Sequence, residues 1–246
     1  MQTVCIIVPC YNEAKRLPTA DFLLFLDGHP EVSLCLVDDG SSDTTLQTLE
    51  ALRAQRPQQV VVLPVSPNGG KAAAVRAGVL FAAKQETWSI LGFWDADLST
   101  PLSEVDRLVA VLVGDPACRL AMGSRVKRLG ANIDRRVARH VLGRIFAACA
   151  TGILGMPVYD SQCGAKLFRR DAVRTLFERP FLTRWLFDIE MLARLRNDVG
   201  VEAMHTACEV PLLRWREVGG SKLRLREMIG VPLELLRIRS AYNARR

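Results

Sequence analysis

Asp95 and Asp97 stand one residue apart at the mouth of an apolar run, Ile90-Leu91-Gly92-Phe93-Trp94. A run of that composition reads as a buried strand, so both carboxylates emerge together at its end. Paired carboxylates offer oxygen only, which suits Mg²⁺ or Mn²⁺, ions that keep several waters and bridge the phosphates of a substrate. A solvated loop carries an Asp-x-Asp by chance as well, and the metal reading takes its weight from the residues on either side.

Two strand-to-loop transitions precede it. Thr3-Val4-Cys5-Ile6-Ile7-Val8 stops at Pro9 and runs on into Cys10-Tyr11-Asn12-Glu13, and Val32 to Val37 ends at Asp38-Asp39-Gly40-Ser41-Ser42-Asp43. Periodicity predicts strands over about 3–8, 32–37, 60–64, 89–94 and 119–123, with helices over about 18–27, 44–55, 70–84 and 102–113. Ser41-Ser42-Asp43 reads as N-cap chemistry for the helix at 44, and Pro101, Glu104 and Asp106 suit the first turn of the helix at 102. This alternation predicts an α/β fold with a mostly parallel central sheet flanked by helices, in which ligands bind beyond the carboxyl ends of the strands. Tyr11, Asp39 and Asp97 then project toward one edge, supplying an aromatic ring for a base, a carboxylate for a ribose and a metal ligand for a diphosphate.

Val8-Pro9-Cys10-Tyr11-Asn12-Glu13, Val37-Asp38-Asp39-Gly40-Ser41, Asp95-Ala96-Asp97 and Gly123-Ser124-Arg125 resemble, in order, the motifs of family-2 inverting glycosyltransferases. Asp160-Ser161-Gln162-Cys163-Gly164-Ala165-Lys166-Leu167-Phe168, Phe187-Asp188-Ile189-Glu190 and Gly220-Ser221-Lys222-Leu223 narrow the likeness. Together they are similar to the polyprenyl-phosphate hexosyltransferases, and most like the dolichyl-phosphate β-glucosyltransferase branch. The resemblance covers residues 3–223. It implies a GT-A type nucleotide-sugar domain and a hexose, glucose from UDP-glucose, moved to a polyprenyl or dolichyl phosphate. By the same resemblance Pro9, Tyr11, Glu13, Val37 and Asp39 line the nucleoside pocket, and Lys71 and Lys222 contact the diphosphate. Asp97 is the principal metal ligand, with Asp95 on ribose or metal. Asp160, Gln162 and Lys166 lie near the donor sugar, and Arg125 and Arg139 receive the acceptor phosphate.

Ser99 stands where the mannosyl branch often has a glutamine, Ala72 where the glucosyl branch usually has a glycine, and Arg216 matches an arginine of the mannosyl branch. Mannosyl transfer from GDP-mannose therefore stays open, as does a nucleotide-binding regulatory module without turnover. A hydroxyl acceptor stays open too. A lipid phosphate is already anionic and attacks without a base, whereas a hydroxyl needs one, and Asp188 and Glu190 are the candidates. Lys71, at the start of a helix, reads equally as a helix-terminal residue and as an anion contact.

The 246 residues, 49% hydrophobic and 24% charged, predict one domain: a nucleotide-sugar half over 1–125, an acceptor half over 126–223 and a basic amphipathic tail over 224–246. The N-terminus lacks the basic region of a signal peptide. Seven cysteines without metal-type spacing read as small buried hydrophobes in a reducing cytoplasm, Cys5, Cys35 and Cys149 among them. Cys163 has no histidine partner near it in sequence to make it a nucleophile. No P-loop, no GxGxxG after the first strand and no GxSxG is present, which excludes three large enzyme classes.

The net charge of +7 is unevenly distributed: residues 125–144 carry +6 and residues 222–246 carry +5, leaving −4 on the remainder. Segregated basic charge implies an anionic partner. Nucleic acid is disfavoured, because the basic segments lack interleaved aromatics. Arg135 to Gly155 reads as a long helix, yet Arg139, His140 and Arg144 within it rule out spanning a bilayer, where one arginine costs ~3 kcal/mol or more. That helix and the tail, which Pro232 is expected to kink or divide, suit a peripheral position on the cytoplasmic face of a membrane; the tail suits the protein's own core equally well.

Overall fold

Side chains alternate strictly along the first strand, β1 (Val4–Cys10). Val4, Ile6 and Val8 enter one buried layer and Cys5 and Ile7 the other. A strand buried on both faces belongs inside a sheet covered on both sides. The computed structural model describes residues 2–134, 137–218 and 225–243. After β1 come α1 (Thr19–Gly28), β2 (Val32–Asp39), α2 (Thr45–Gln55), β3 (Val60–Val65), α3 (Lys71–Lys84), β4 (Ile90–Trp94), α4 (Val105–Gly114) and β5 (Leu120–Ser124). The second half holds β6 (Asn132–Asp134), α5 (Val137–Leu154), β7 (Ala165–Arg169), α6 (Val173–Phe177), α7 (Phe187–Val199), α8 (Ala203–Thr206), β8 (Ala207–Pro211), β9 (Arg214–Arg216) and α9 (Leu225–Asn243).

One seven-stranded sheet runs β3-β2-β1-β4-β7-β5-β8, and a two-stranded parallel sheet joins β6 to β9. The large sheet is parallel except at β7, which is antiparallel to both β4 and β5. Strand order reverses at β1, with β2 on one side and β4 on the other, and that reversal opens a crevice at the carboxyl ends. Because β7 runs the opposite way, its amino end delivers the 160–164 loop to the same edge. One hydrophobic layer takes Phe22 of α1, Leu49 of α2 and Leu108 of α4; the other takes Val75 of α3, Leu176 of α6, Leu192 of α7 and Leu235 and Ile238 of α9.

Several expectations need correction. The cap of α2 comes from Asp43, whose Oδ1 accepts the N–H of Thr45, the helix's first residue, at 3.0 Å, while Thr44 between them makes no side-chain cap bond. The helix at 102 starts as a 3₁₀ turn, Leu102–Glu104, because buried Glu104 accepts hydrogen bonds from Leu213 and Arg214 backbone N–H at 2.9 Å each. Cys149 is exposed, on the outer face of α5. Pro232 does not divide α9, which is assigned as one helix through it. Burial of Leu235 and Ile238 beyond the proline holds the second part down despite the missing N–H. The tail therefore packs on the protein's own core, while Leu233 and Leu236 remain exposed. Among the described residues, no helix is long and apolar enough to cross a membrane.

Glu190 lies in this packing rather than in the crevice. Its carboxylate accepts from Arg194 at 2.8 Å, from the Tyr242 hydroxyl at 2.7 Å and from Leu182 N at 2.8 Å, and it is fully buried. Tyr242 thereby ties α9 to α7. Removing one partner of a buried ion pair costs ~3–5 kcal/mol, which in a chain of this size lowers the melting temperature by about 10 °C. Calorimetry of Glu190→Gln is expected to show that fall; an unchanged melting temperature would mean the network contributes nothing.

Candidate active site

The loops after β1 and β2 are stitched together. Asn12, in the left-handed region at φ 51°, receives a hydrogen bond on its Oδ1 from Ser42 N at 2.9 Å and donates its backbone N–H to Ser41 Oγ at 3.0 Å. Thr45 Oγ1 accepts from Glu13 N at 2.8 Å and Ala14 N at 3.0 Å while donating to Asp43 at 2.5 Å. The Ser-Ser-Asp segment thus does two things: Asp43 accepts the first N–H of α2, and Ser41 and Ser42 clamp the Tyr11–Ala14 turn through Asn12. Tyr11 stands 39% exposed on that turn. Glu13 is buried and paired with Arg16 at 2.8 Å, and the Val37 side chain is fully buried in the second core layer.

Asp39 holds the next loop. Its carboxylate accepts from Gly69 N and Gly70 N at 2.8 Å each and from Asn68 Nδ2 at 2.9 Å. Burial pushes its pKa up, and the two glycine N–H groups oppose that. Gly70 has φ 84°, and a Cβ there would lie 2.7 Å from Arg184 Nε, so the arginine lies directly across the loop. Arg184 also donates to Asn68 Oδ1 at 3.1 Å.

From this loop α3 begins at Lys71, whose ammonium reaches Asp95 Oδ1 at 2.6 Å. Burial works against that charge, but Asp95, Asp188 and Asp97 outweigh it and hold the pKa above the ordinary lysine value. Burial, together with the neighbouring Asp95, pushes Asp97 up, and the Ser99 N–H, donated to Asp97 Oδ1 at 2.9 Å, opposes it. Between them Leu98 is buried at φ 48°, a backbone conformation that costs a bulky residue ~1–3 kcal/mol. The turn is braced by Leu98 N to Asp95 O at 3.1 Å and by Trp94 Nε1 to Thr100 O at 2.7 Å.

Do these residues fit a divalent cation? Among the described residues no group of three or more His, Cys, Asp or Glu converges. Asp95 and Asp97 thus offer two carboxylates, and the remaining positions fall to water and substrate oxygens. That donor set fits Mg²⁺ or Mn²⁺. Lys71 already pairs with Asp95, and burial together with Asp95 raises the Asp97 pKa, so a divalent ion would offset negative charge crowded at this turn.

Across the crevice, Arg125 makes a two-pronged contact with Asp160, Nε and Nη2 each at 2.6 Å from a carboxylate oxygen, and lies 5.3 Å from the Trp215 ring. Burial opposes its charge, but Asp160 dominates and strengthens it. Asp160 is positioned in turn by Glu209 on β8, which accepts from Asp160 N at 2.6 Å and Tyr159 N at 2.9 Å. Lys166 is wholly buried, donating to Asp188 at 2.5 Å and to Cys163 O at 2.6 Å, while Gln162 reaches the other Asp188 oxygen at 3.4 Å. Lys71 and Lys166 lie 5.9 and 5.3 Å from one ring, Phe93, so the two pairs form one continuous charged cluster. Burial pushes the Cys163 thiol up to about 11, leaving it protonated and unsuited to attack.

The structure brings together Asp39, Lys71, Asp95, Asp97, Arg125, Asp160, Gln162, Lys166 and Asp188 at the carboxyl edge; Glu190 sits behind it. Lys222 and the side chain of Arg139 lie outside the described residues. Sequence reasoning missed Asn68, Gly164, Arg184 and Glu209. Only Arg184, in the Arg184-Trp185-Leu186 approach to Asp188, carried a signal: a cation next to an acidic motif.

Gly164 permits the whole arrangement. Its carbonyl accepts from Asp95 N at 3.0 Å, and a Cβ on it would sit 1.8 Å from Asp95 Oδ2. Gly164→Ala must displace the Asp95 carboxylate. Misplacing a catalytic group by about 1 Å costs ~10²-fold in rate, so turnover is expected to fall by that order while circular dichroism stays native. Wild-type turnover in Gly164→Ala would show that the Asp95 position is immaterial.

Known proteins agree with this geometry. The model of Glycosyl transferase family 2 matches residues 5–177. A dolichyl-phosphate beta-glucosyltransferase of Trichomonas vaginalis is 32% identical over 260 residues, covering 98% of this chain and 74% of that protein. One from Drosophila melanogaster is 34% identical over 232 residues, covering 89% of this chain and 68% of that protein. The crystal structure of glucosyl-3-phosphoglycerate synthase from Mycobacterium tuberculosis with Mn²⁺, UDP and glucosyl-3-phosphoglycerate superposes with a TM-score of 0.66 at 21% identity, over 96% of this chain and 78% of that one. The fold is thus of the GT-A type, and the chain belongs to glycosyl transferase family 2: it is a glycosyltransferase.

Proposed function

We propose that the protein transfers glucose from UDP-glucose, with inversion and with Mg²⁺ or Mn²⁺, to a polyprenyl phosphate of the dolichyl type at the cytoplasmic face of a membrane. The observation that carries the acceptor class is the state of the two carboxylates that could serve a hydroxyl as base. Asp188 is bound to buried Lys166 and Glu190 to Arg194 and Tyr242, so each is already committed to a cation. An acceptor that arrives ionised needs neither. The relatives' names support the same acceptor and sugar.

In this reading Tyr11 and Asp39 face the nucleoside, and Asp95 and Asp97 hold the cation. A bound divalent ion would neutralise charge gathering on the leaving diphosphate. Lys71 adds a second positive charge at the helix α3 terminus, where an anion is favoured. Arg125, its Nε and Nη2 already held by Asp160, meets the acceptor phosphate with its positive charge and its remaining Nη1 hydrogens. A phosphate oxygen forms the new bond to the anomeric carbon as the bond from that carbon to the UDP oxygen breaks, and attack from the opposite face inverts the configuration.

Purified protein with labelled nucleotide sugars, a divalent ion and dolichyl or undecaprenyl phosphate is expected to give a β-linked glucolipid from UDP-glucose, and none after EDTA. Asp97→Asn is expected to lower turnover at least ~10²-fold, the scale of losing one electrostatic stabiliser. Arg125→Ala is expected to abolish transfer while UDP-glucose binding survives. Product from GDP-mannose alone would move the donor to mannose; absence of any transfer or nucleotide-sugar hydrolysis would sink the reading.

A further inference from the structure

Leu129 leaves 98% of its surface in water. A single exposed leucine is ordinary on a protein surface; its setting here is not. It occupies the tip of a turn closed by Ala131 N to Arg128 O at 3.2 Å, with Gly130 at φ 81° supplying the left-handed bend. Lys127 and Arg128, immediately before it, are both exposed. Both ends of the turn are anchored at the active-site edge. On one side Arg125 is locked to Asp160, and on the other Asn132 N donates to Leu213 O at 2.7 Å as β6 joins β9, whose Arg216 N bonds Ser99 O at 3.0 Å. The result is a firmly based projection carrying one large apolar side chain beside two cations.

We propose that the Lys127–Gly130 turn is a membrane-insertion element, in which Leu129 enters the acyl boundary of an anionic leaflet while Lys127 and Arg128 lie among its headgroups. Its purpose rests on the lipid-phosphate reading above, since it sets Arg125 at the depth of lipid phosphates. Leu129 follows Arg125 by four positions, a reach of at most ~14 Å. The headgroup layer is roughly 6 Å deep on each side of the hydrocarbon, so the turn is long enough for both positions to be held at once. Charge favours this partner: residues 125–144 carry +6, with Asp134 the single acid, and anionic leaflets attract such segments. A protein partner would need on the order of 800 Å² of surface, far more than one leucine on a narrow turn presents.

The test is flotation with phosphatidylcholine vesicles with and without phosphatidylglycerol, using no acceptor lipid and no nucleotide sugar. The wild type is expected to float with the anionic vesicles only. Leu129→Asp is expected to weaken that binding at least about tenfold, the scale of withdrawing one buried leucine, and to do so at high salt as well as low. Leu129→Trp should retain binding and shift its emission to the blue on vesicles. Lys127→Gln with Arg128→Gln should weaken binding about tenfold at low salt and less at high salt. Calorimetry confirms that each variant is folded. Wild type that ignores anionic vesicles, Leu129→Asp that floats like wild type, or binding lost in Arg237→Gln with Arg239→Gln but kept in Leu129→Asp would each overturn the proposal. Because no acceptor is present, failure of the glucosyl-transfer reading leaves this result standing on its own.

Discussion

Five aspartates gather at one edge of the central sheet, and the loops there are arranged to satisfy them. Asp39 takes three hydrogen bonds from Asn68, Gly69 and Gly70, Asp95 takes Lys71, Asp160 takes Arg125, and Asp188 takes Lys166. Asp97 takes the backbone N–H of Ser99, with the Lys71 charge nearby. A buried charge without a partner costs several kcal/mol, so these pairings decide where each connecting segment can run. The start of α3, the 160–164 loop and the first turn of α7 are all positioned by the carboxylate they serve.

That crowding is possible because backbone approaches backbone closely where β4 meets β7. A Cβ on Gly92 would lie 2.2 Å from the Lys166 carbonyl oxygen, and one on Gly164 would strike Asp95. The antiparallel strand β7 thus enters between two otherwise parallel groups of strands and carries Lys166 beneath Phe93, opposite Lys71. Two lysines sharing one aromatic ring, each with its own aspartate, give a cluster in which moving one charge is felt by the next. Lys71 is partly exposed at 22%, whereas Lys166 is wholly buried.

The first half of the fold was legible because both signals it depends on are local. Apolar runs of five to eight residues mark β1, β2 and β4, and helix-period segments lie between them, so their order followed from periodicity. Asp39, Asp95 and Asp97 were legible for the same reason, each ending such a run. In the second half only the long helix α5 was legible in this way. β7 reads Ala165-Lys166-Leu167-Phe168-Arg169, with a lysine at a position the structure buries completely, and no period reveals that its partner, Asp188, waits 22 residues on. Glu209 carries no local signal, because its role is to receive two backbone N–H groups from a loop far away in sequence. Ser41-Ser42-Asp43 was half legible: Asp43 accepts the first N–H of α2 as cap chemistry predicts, but the same chemistry in Ser41 and Ser42 joins two loops, which local sequence does not reveal.

The C-terminal helix shows how one amphipathic pattern serves two surfaces. Leu235, Ile238 and Tyr242 face the core layer shared with α5 and α7, which answers the question periodicity left open: the helix packs on its own protein. Yet Leu233, 72% exposed, and Leu236, 57% exposed, share α9 with exposed Arg237 and Arg239, so the apolar residues exceed what the core absorbs. Apolar and basic residues together on an exposed surface suit a headgroup layer. The same combination recurs at Leu129, on the far side of Arg125 in the chain. These exposed segments are separate from the loops after β1 and β2, which hydrogen bonds to Asp39 and Thr45 hold in place.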